Sequence, residues 1–104
     1  MRPARLSSEA VEELFEAAAW YRDQQPGLEL EFLAEVDRIL PLLETSPASF
    51  PRVLGLPVDL EIRRALLPRF PYALVFMETQ RDIRVLAVAH LKRRPGYWLN
   101  RVEL

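Results

Sequence analysis

Two apolar segments joined by a short polar connection constrain the fold of this chain most strongly. Residues 72–78, YALVFME, are almost continuously apolar, which is typical of a central strand buried on both faces. Residues 79–82, TQRD, are polar and short enough for a hairpin connection. Residues 83–89, IRVLAVA, have the composition of the next strand. We therefore predict a β-hairpin inside a sheet.

A third strand is predicted just before this hairpin. Residues 59–66 alternate between apolar and charged side chains, and residues 68–71, PRFP, supply a turn. Three consecutive strands with short connections form an antiparallel meander. Strand parity would place Leu86, Val88 and His90 on one face of the last strand. We expect one face of the meander to bury helices and the other to be an open, basic working face.

The first half of the chain predicts two helices. Ser7 and Ser8 suit a helix cap, and apolar residues then recur at helical spacing as far as Gln25. This first stripe consists of Val11, Leu14, Phe15, Ala18 and Ala19. The acidic residues of the same helix are expected on a solvated face: Glu9, Glu12, Glu13 and Glu16.

The second helix is predicted to begin at Pro26 or Gly27, with Pro41 kinking or fraying its last turn. Its stripe consists of Leu28, Phe32, Val36, Ile39, Leu40 and Leu43. The join is too short for a strand, so the helices form an antiparallel hairpin. With a short strand at residues 4–6 and a proline-rich loop at residues 44–58, the prediction is a single α+β domain, residues 1–104. Its order is (β)-α-α-β-β-β, with the helical hairpin on a three- or four-stranded antiparallel sheet.

The composition excludes several classes of function. The chain has no cysteine and one histidine, so disulfides, thiolate chemistry and multi-histidine metal sites are excluded. No cofactor or metal is expected. No apolar run approaches the ~20 residues of a membrane span, and the N-terminus lacks an apolar signal core. We expect a cytoplasmic protein without membrane contact.

The charges are distributed unevenly between the two halves. Residues 1–50 hold four basic and ten acidic side chains, a net charge of −6. Residues 51–104 hold ten basic and five acidic side chains, a net charge of +5. Such asymmetry favours a polyanion as partner of the basic half, and ordinary surface ion pairing is the alternative.

The candidate site follows the last predicted strand. His90 comes at its end, the basic triplet Lys92, Arg93 and Arg94 comes next, and Tyr97 follows. A group that transfers protons, cations that bind phosphate and an aromatic ring that stacks on bases indicate a site for RNA.

The order of elements, with arginines on the strands and a basic, aromatic C-terminus, resembles the RelE/ParE family of type II toxin–antitoxin toxins, also called plasmid stabilisation proteins. Three segments carry the resemblance: SSEAVEELFEAAAWYRDQQPGLELEFLAEVDRIL, EIRRALLPRFPYALVF and IRVLAVAHLKRRPGYW. RelE-like members are endoribonucleases that cut messenger RNA on the ribosome without a metal. ParE-like members inhibit DNA gyrase instead. Both kinds are bound and neutralised by a cognate antitoxin, in a hetero-oligomer.

The resemblance also implies roles for residues. His90 would be the general acid or base, Arg64 or its neighbour Arg63 a phosphate clamp, and Arg93 or Arg94 a second clamp. Tyr97 would stack on a base or relay a proton. Arg69 and Lys92 would add contacts to nucleic acid. The lysine pair that RelE-like toxins carry before the second strand is missing here, because that region reads LGLPVDLE.

Structural roles are the alternatives for the same residues. His90 would then cap a strand end through backbone hydrogen bonds, and the arginines of residues 63–69 would pair with Asp59, Glu61 or helix acids. Tyr97 and Trp98 would close the core. At the level of function the alternatives are a ribonuclease, a gyrase inhibitor, and an inactive toxin kept for antitoxin binding.

Overall fold

The computed structural model describes residues 1–56 and 60–102. It contains the strands β1 (Ala4–Leu6), β2 (Arg63–Leu66), β3 (Tyr72–Glu78) and β4 (Ile83–His90). The α-helices are α1 (Ser8–Gln24) and α2 (Leu28–Thr45), and 3-10 turns lie at Pro47–Ser49 and Leu99–Arg101. The predicted α+β order is confirmed. Neither α-helix in the described residues is long and apolar enough to cross a membrane.

The four strands form one sheet in the order β1-β4-β3-β2. β2, β3 and β4 pair antiparallel, as predicted, whereas β1 pairs parallel with β4, with Ala4 opposite Ile83. The other side of β1 is an exposed sheet edge. There the backbone N–H of Ala4 donates a hydrogen bond of 2.6 Å to the carboxylate of Glu44 on α2. This bond ties the first strand to the second helix.

A β-bulge changes the faces of β4. Val75 pairs with Ala87 and Phe76 pairs with Val85, so Leu86 has no partner on β3. The extra residue reverses the alternation of side chains beyond it. Val88 therefore packs in the same cluster as Val85, whereas Leu86 packs in the other. The predicted common face of Leu86, Val88 and His90 is wrong, because the bulge interrupts strict parity.

The helices cover one face of the sheet and make the larger core. α2 contributes Phe32, Val36, Ile39 and Leu43, as its stripe predicted. α1 differs from the prediction, because Phe15 is 63% exposed. Its buried apolar residues are Ala10, Ala17, Ala18 and Tyr21. Small side chains let α1 lie close to the sheet, and this rotates Phe15 to the outside.

The ends of the helices follow local rules. Ser7 caps α1 by accepting a hydrogen bond of 3.1 Å from the N–H of Ala10. α2 begins at Leu28, slightly later than predicted, after Gly27 in the left-handed region with φ of 100°. It continues past Pro41 to Thr45, whose hydroxyl donates to the Pro41 carbonyl at 3.1 Å. Pro41 was predicted to kink or fray the last turn, and of these two effects the fraying is absent.

The second face of the sheet is not an open working face. A second apolar cluster covers it, formed by Ile62, Val75, Leu86, Ala87, Ala89 and Trp98. Trp98 belongs to the C-terminal segment (residues 91–102), which folds back over the sheet, and it is only 4% exposed. The alternative that Trp98 closes the core is confirmed, and the basic groups are left at the strand ends.

β2 is shorter than the predicted strand over residues 59–66. The carbonyl of Ile62 accepts a hydrogen bond of 2.7 Å from Val53, and the N–H of Arg64 donates to Pro51. The proline-rich loop thus pairs with the start of β2 through a single antiparallel bridge between Arg52 and Arg63. Residue 59, where the prediction began, lies outside the described residues.

Candidate functional site

Five of the predicted site residues line one groove, here called the strand-end groove. Arg64 comes from β2, His90 from the end of β4, and the others from the C-terminal segment: Arg93, Arg94 and Tyr97. The groove has a volume of about 90 Å³, below the roughly 300–1,000 Å³ of sites for drug-sized ligands. It is sized for a phosphate group or the edge of a larger ligand.

The His90 side chain is held by contacts at the end of β4. Its Nδ1 accepts a hydrogen bond of 3.0 Å from the N–H of Lys92. Its ring meets the Tyr72 ring edge to face, with ring centres 5.0 Å apart. The predicted capping role is thus present. In the neutral ring this leaves the proton on Nε2, whose N–H can donate a hydrogen bond to a ligand.

Three exposed cations line the groove with this histidine or follow it in the chain. Arg64, Lys92 and Arg94 make no ion pair and no side-chain hydrogen bond with the part of the chain that the structure describes. Their guanidinium and ammonium groups are therefore hydrated and available for phosphate oxygens. Arg64 and Arg94 line the strand-end groove directly.

Glu13 of α1 organises the side of this site. Its carboxylate accepts hydrogen bonds from the N–H of Val88 at 3.0 Å and from the Tyr97 hydroxyl at 2.6 Å. Arg101 donates to both carboxylate oxygens, at 2.8 and 3.2 Å. The Glu13 side chain is only 12% exposed. The expectation that Glu13 lies on a solvated face is wrong, because the end of β4 and the C-terminal segment surround it.

This carboxylate fixes two residues of the strand-end groove. Burial and the hydrogen bond to Glu13 raise the pKa of Tyr97 well above its usual range, so the phenol stays a hydrogen-bond donor. The guanidinium of Arg93 lies 3.8 Å from the ring centre of Tyr97 and 3.8 Å from the Glu13 carboxylate. Arg93 thus occupies one of the two ring faces of Tyr97 on which a base could stack.

Arg101 is held by the same carboxylate. Its hydrogen bonds to Glu13 raise its pKa, and a further bond of 3.0 Å reaches the carbonyl of Leu86 in the bulge. Arg101 therefore fixes the C-terminal segment to β4.

The remaining predicted residues lie elsewhere. Arg69 pairs with Glu31 at 3.0 Å and with the buried Glu35, and hydrogen bonds to these two acids raise its pKa. Arg63 donates to the Phe50 carbonyl at 2.6 Å and pairs with Glu61 at 2.9 Å. Arg63 and Arg69 therefore form ion pairs with acids of the chain, as the structural alternative to nucleic-acid binding predicted.

Glu13 and Arg101 were not singled out from the sequence. Glu13 shares a helix face with Ala10 and Ala17, because these positions are three and four residues apart. A carboxylate between two alanines on the sheet-facing stripe is the signal that indicates a buried acid. No comparable signal marks Arg101, since its partner is distant in sequence.

The comparisons with known proteins bear on the fold. No family model matches the sequence, and no curated protein matches it. Among solved structures, the chain is similar to a chain of the chromosomal ParDE TA system from P. aeruginosa, with a TM-score of 0.71 and 17% identity. The match covers 88% of this chain and 98% of that chain. The RelE/ParE-like fold implied by the resemblance is thereby confirmed.

Proposed function

We propose that this chain is the toxin of a type II toxin–antitoxin pair and acts in the cytoplasm. The support is a fold shared with a chain of a ParDE TA system over almost the whole of both chains. The partner that neutralises it is a cognate antitoxin, bound in a hetero-oligomer. Growth arrest on expression without that partner is the expected phenotype, and its absence would favour an inactive toxin.

We propose that the toxin cleaves messenger RNA at the strand-end groove. The observation that carries this proposal is the meeting of Arg64, His90 and Arg94 in one groove, although they come from β2, β4 and the C-terminal segment. Cleavage needs the 2′-hydroxyl deprotonated, the leaving 5′-oxygen protonated and the pentacoordinate phosphate neutralised. His90 can carry out one of these proton transfers at Nε2 when its ring proton lies on Nδ1 and the bond from the Lys92 N–H is released, and water carries out the other.

The remaining residues have supporting roles in this proposal. Arg64 and Arg94 stabilise the charge that develops on the phosphate. Lys92 contacts a flanking phosphate, and Arg93 lines the groove, oriented by Glu13 and Tyr97. We assign Tyr97 to positioning, because its hydroxyl is bonded to Glu13 and Arg93 stacks on its ring.

Inhibition of DNA gyrase is the second candidate. It is favoured by the similarity to a chain of a ParDE system, since the ParE-like members of the family inhibit gyrase. Such a toxin would act by binding, and substitutions in the strand-end groove would leave its activity unchanged.

One set of assays separates the two candidates. Purified full-length chain is added to a cell-free translation reaction and, separately, to gyrase and relaxed plasmid. RNA cleavage is expected, and it should fall at least about 100-fold in the double variant His90→Ala/Arg94→Ala. Arg38→Ala, an exposed arginine of α2, is the matched control. Inhibition of supercoiling without any cut RNA would replace the ribonuclease with the gyrase inhibitor.

A further inference from the structure

A second concave site adjoins the strand-end groove. It lies between α1 and the ends of β3 and β4, has a volume of about 230 Å³, and is here called the α1 cleft. His90 and Arg93 line both the α1 cleft and the strand-end groove. A ligand that places a phosphate in the groove can therefore extend a neighbouring group into the cleft.

An exposed aromatic ring forms one wall of the α1 cleft. Trp20 lines it and is 56% exposed. The indole contacts Tyr21 in a T-shaped arrangement, with ring centres 5.1 Å apart, and Tyr21 is itself buried in the core. A ring held in this way and still exposed is suited to stacking on a planar group such as a nucleobase.

The carboxylate beside Trp20, that of Glu16, has no bonding partner among the described residues. Glu16 lines the cleft and is exposed, and it makes no hydrogen bond or ion pair with residues 1–56 or 60–102. Glu13, in contrast, already accepts bonds from three residues. A free carboxylate only accepts hydrogen bonds, so it selects a ligand with donors.

The nucleobases differ in what they offer such a carboxylate. Guanine presents N1–H and its exocyclic amino group side by side, so both carboxylate oxygens can accept. Uracil presents a single N–H between two carbonyl oxygens, which a carboxylate repels. Guanine also carries two acceptors, O6 and N7, that an arginine can bind together, and Arg93 lies at the same cleft.

We propose that the α1 cleft binds a guanine base of the RNA, stacked on Trp20 and bonded by Glu16, next to the phosphate in the strand-end groove. The proposal rests on the proposed RNA substrate and adds its base specificity. Glu16 and Trp20 are then the residues that determine which base is bound. A cleft of about 230 Å³ holds a single base and leaves the sugar and phosphate outside.

Binding of mononucleotides tests this without requiring cleavage. The full-length chain is titrated calorimetrically at low salt with the 3′-monophosphates of guanosine, adenosine, cytidine and uridine. We expect guanosine 3′-monophosphate to bind at least about tenfold more tightly than the uridine compound, as hydrogen bonds to a charged acceptor allow. Glu16→Gln should remove most of this preference, because an amide both donates and accepts.

Two further variants complete the test. Trp20→Ala should weaken all four nucleotides by about fivefold to a hundredfold. Glu12→Gln changes an exposed acid of α1 that does not line the cleft, and it should leave the preference unchanged.

Three results would overturn the proposal. They are equal binding of the four nucleotides, an unchanged preference in Glu16→Gln, and no binding of any of the four nucleotides. Failure of the ribonuclease proposal would appear separately, as intact RNA in the translation assay.

Discussion

Glu13 of α1 and Glu35 of α2 are largely buried carboxylates that bind other parts of the fold, and their roles differ. Glu35 of α2 is 1% exposed and binds one residue, Arg69, through its backbone N–H and its guanidinium. Glu13 of α1 binds a backbone N–H of β4, a tyrosine and an arginine of the C-terminal segment, and lies near a second arginine. The Glu35 pair fixes one turn before β3, whereas Glu13 joins three parts of the chain.

This difference explains how the cations of the strand-end groove are positioned. Arg69, the arginine bound to Glu35, makes its ion pairs within the fold. At Glu13, the bonds to Tyr97 and Arg101 hold the C-terminal segment so that its other cations, Arg93 and Arg94, reach the strand-end groove. A buried acid thus supports the basic site by neutralising some cations and positioning others.

The largest effect is expected at Glu13. Glu13→Ala leaves the Val88 N–H, the Tyr97 hydroxyl and the Arg101 guanidinium without their acceptor in a poorly hydrated place. We expect the free energy of unfolding to fall by about 3–5 kcal/mol, as when one partner of a buried ion pair is removed. Urea denaturation followed by circular dichroism measures it. A loss as small as that of the exposed neighbour Glu12→Ala, which should stay within about 0.5 kcal/mol, would refute the role of Glu13.

A smaller loss is expected at Glu35. In Glu35→Ala the partner Arg69, whose side chain is 57% exposed, can be hydrated by water. The remaining cost is the cavity and the lost acceptor for the Arg69 N–H. The same denaturation experiment should place this variant between wild type and Glu13→Ala. If Glu35→Ala had a lower free energy of unfolding than Glu13→Ala, the predicted order of the two carboxylates would be wrong.

Tyr97→Phe should have the smallest effect, a loss of about 1 kcal/mol from one hydrogen bond. It also has a pH signature. The pKa of Tyr97 is raised in the folded chain above the ordinary value of 10.0. Folding therefore favours the protonated phenol, and this stability is complete below pH 10 and declines as pH rises beyond it. Stability measured from pH 8 to 11 should fall less steeply in Tyr97→Phe, and identical slopes would argue against a Tyr97 phenol buried beside Glu13.

Much of the fold could be predicted from periodicity. The α2 stripe, the hairpin of β3 and β4 and the Ser7 cap all follow from local rules, and the structure has them where they were predicted. The α1 stripe was misjudged because Phe15 fits the helical period as well as the alanines do, and close packing against the sheet decided between them.

The site was harder to predict than the fold. His90, Arg64 and Arg94 were selected from their residue types and from the resemblance, and the structure brings them into one groove. The bulge at Leu86, the folding back of Trp98 and the contact between Glu13 and Arg101 depend on residues far apart in sequence. Local patterns carry no information on such pairs, so Arg63 and Arg69 were assigned to the site along with Arg64.

Arg64 gives the most direct test of the central claim, that the strand-end groove is the site of RNA cleavage. The 5′ ends of cleaved message are quantified by primer extension in cell-free translation with wild type, Arg64→Ala and Arg38→Ala, after thermal unfolding shows equal stability. The account predicts that cleavage falls by about 100-fold in Arg64→Ala, the loss typical of a group that stabilises the transition state, and stays at the wild-type level in Arg38→Ala. Equal cleavage by Arg64→Ala and wild type would contradict it.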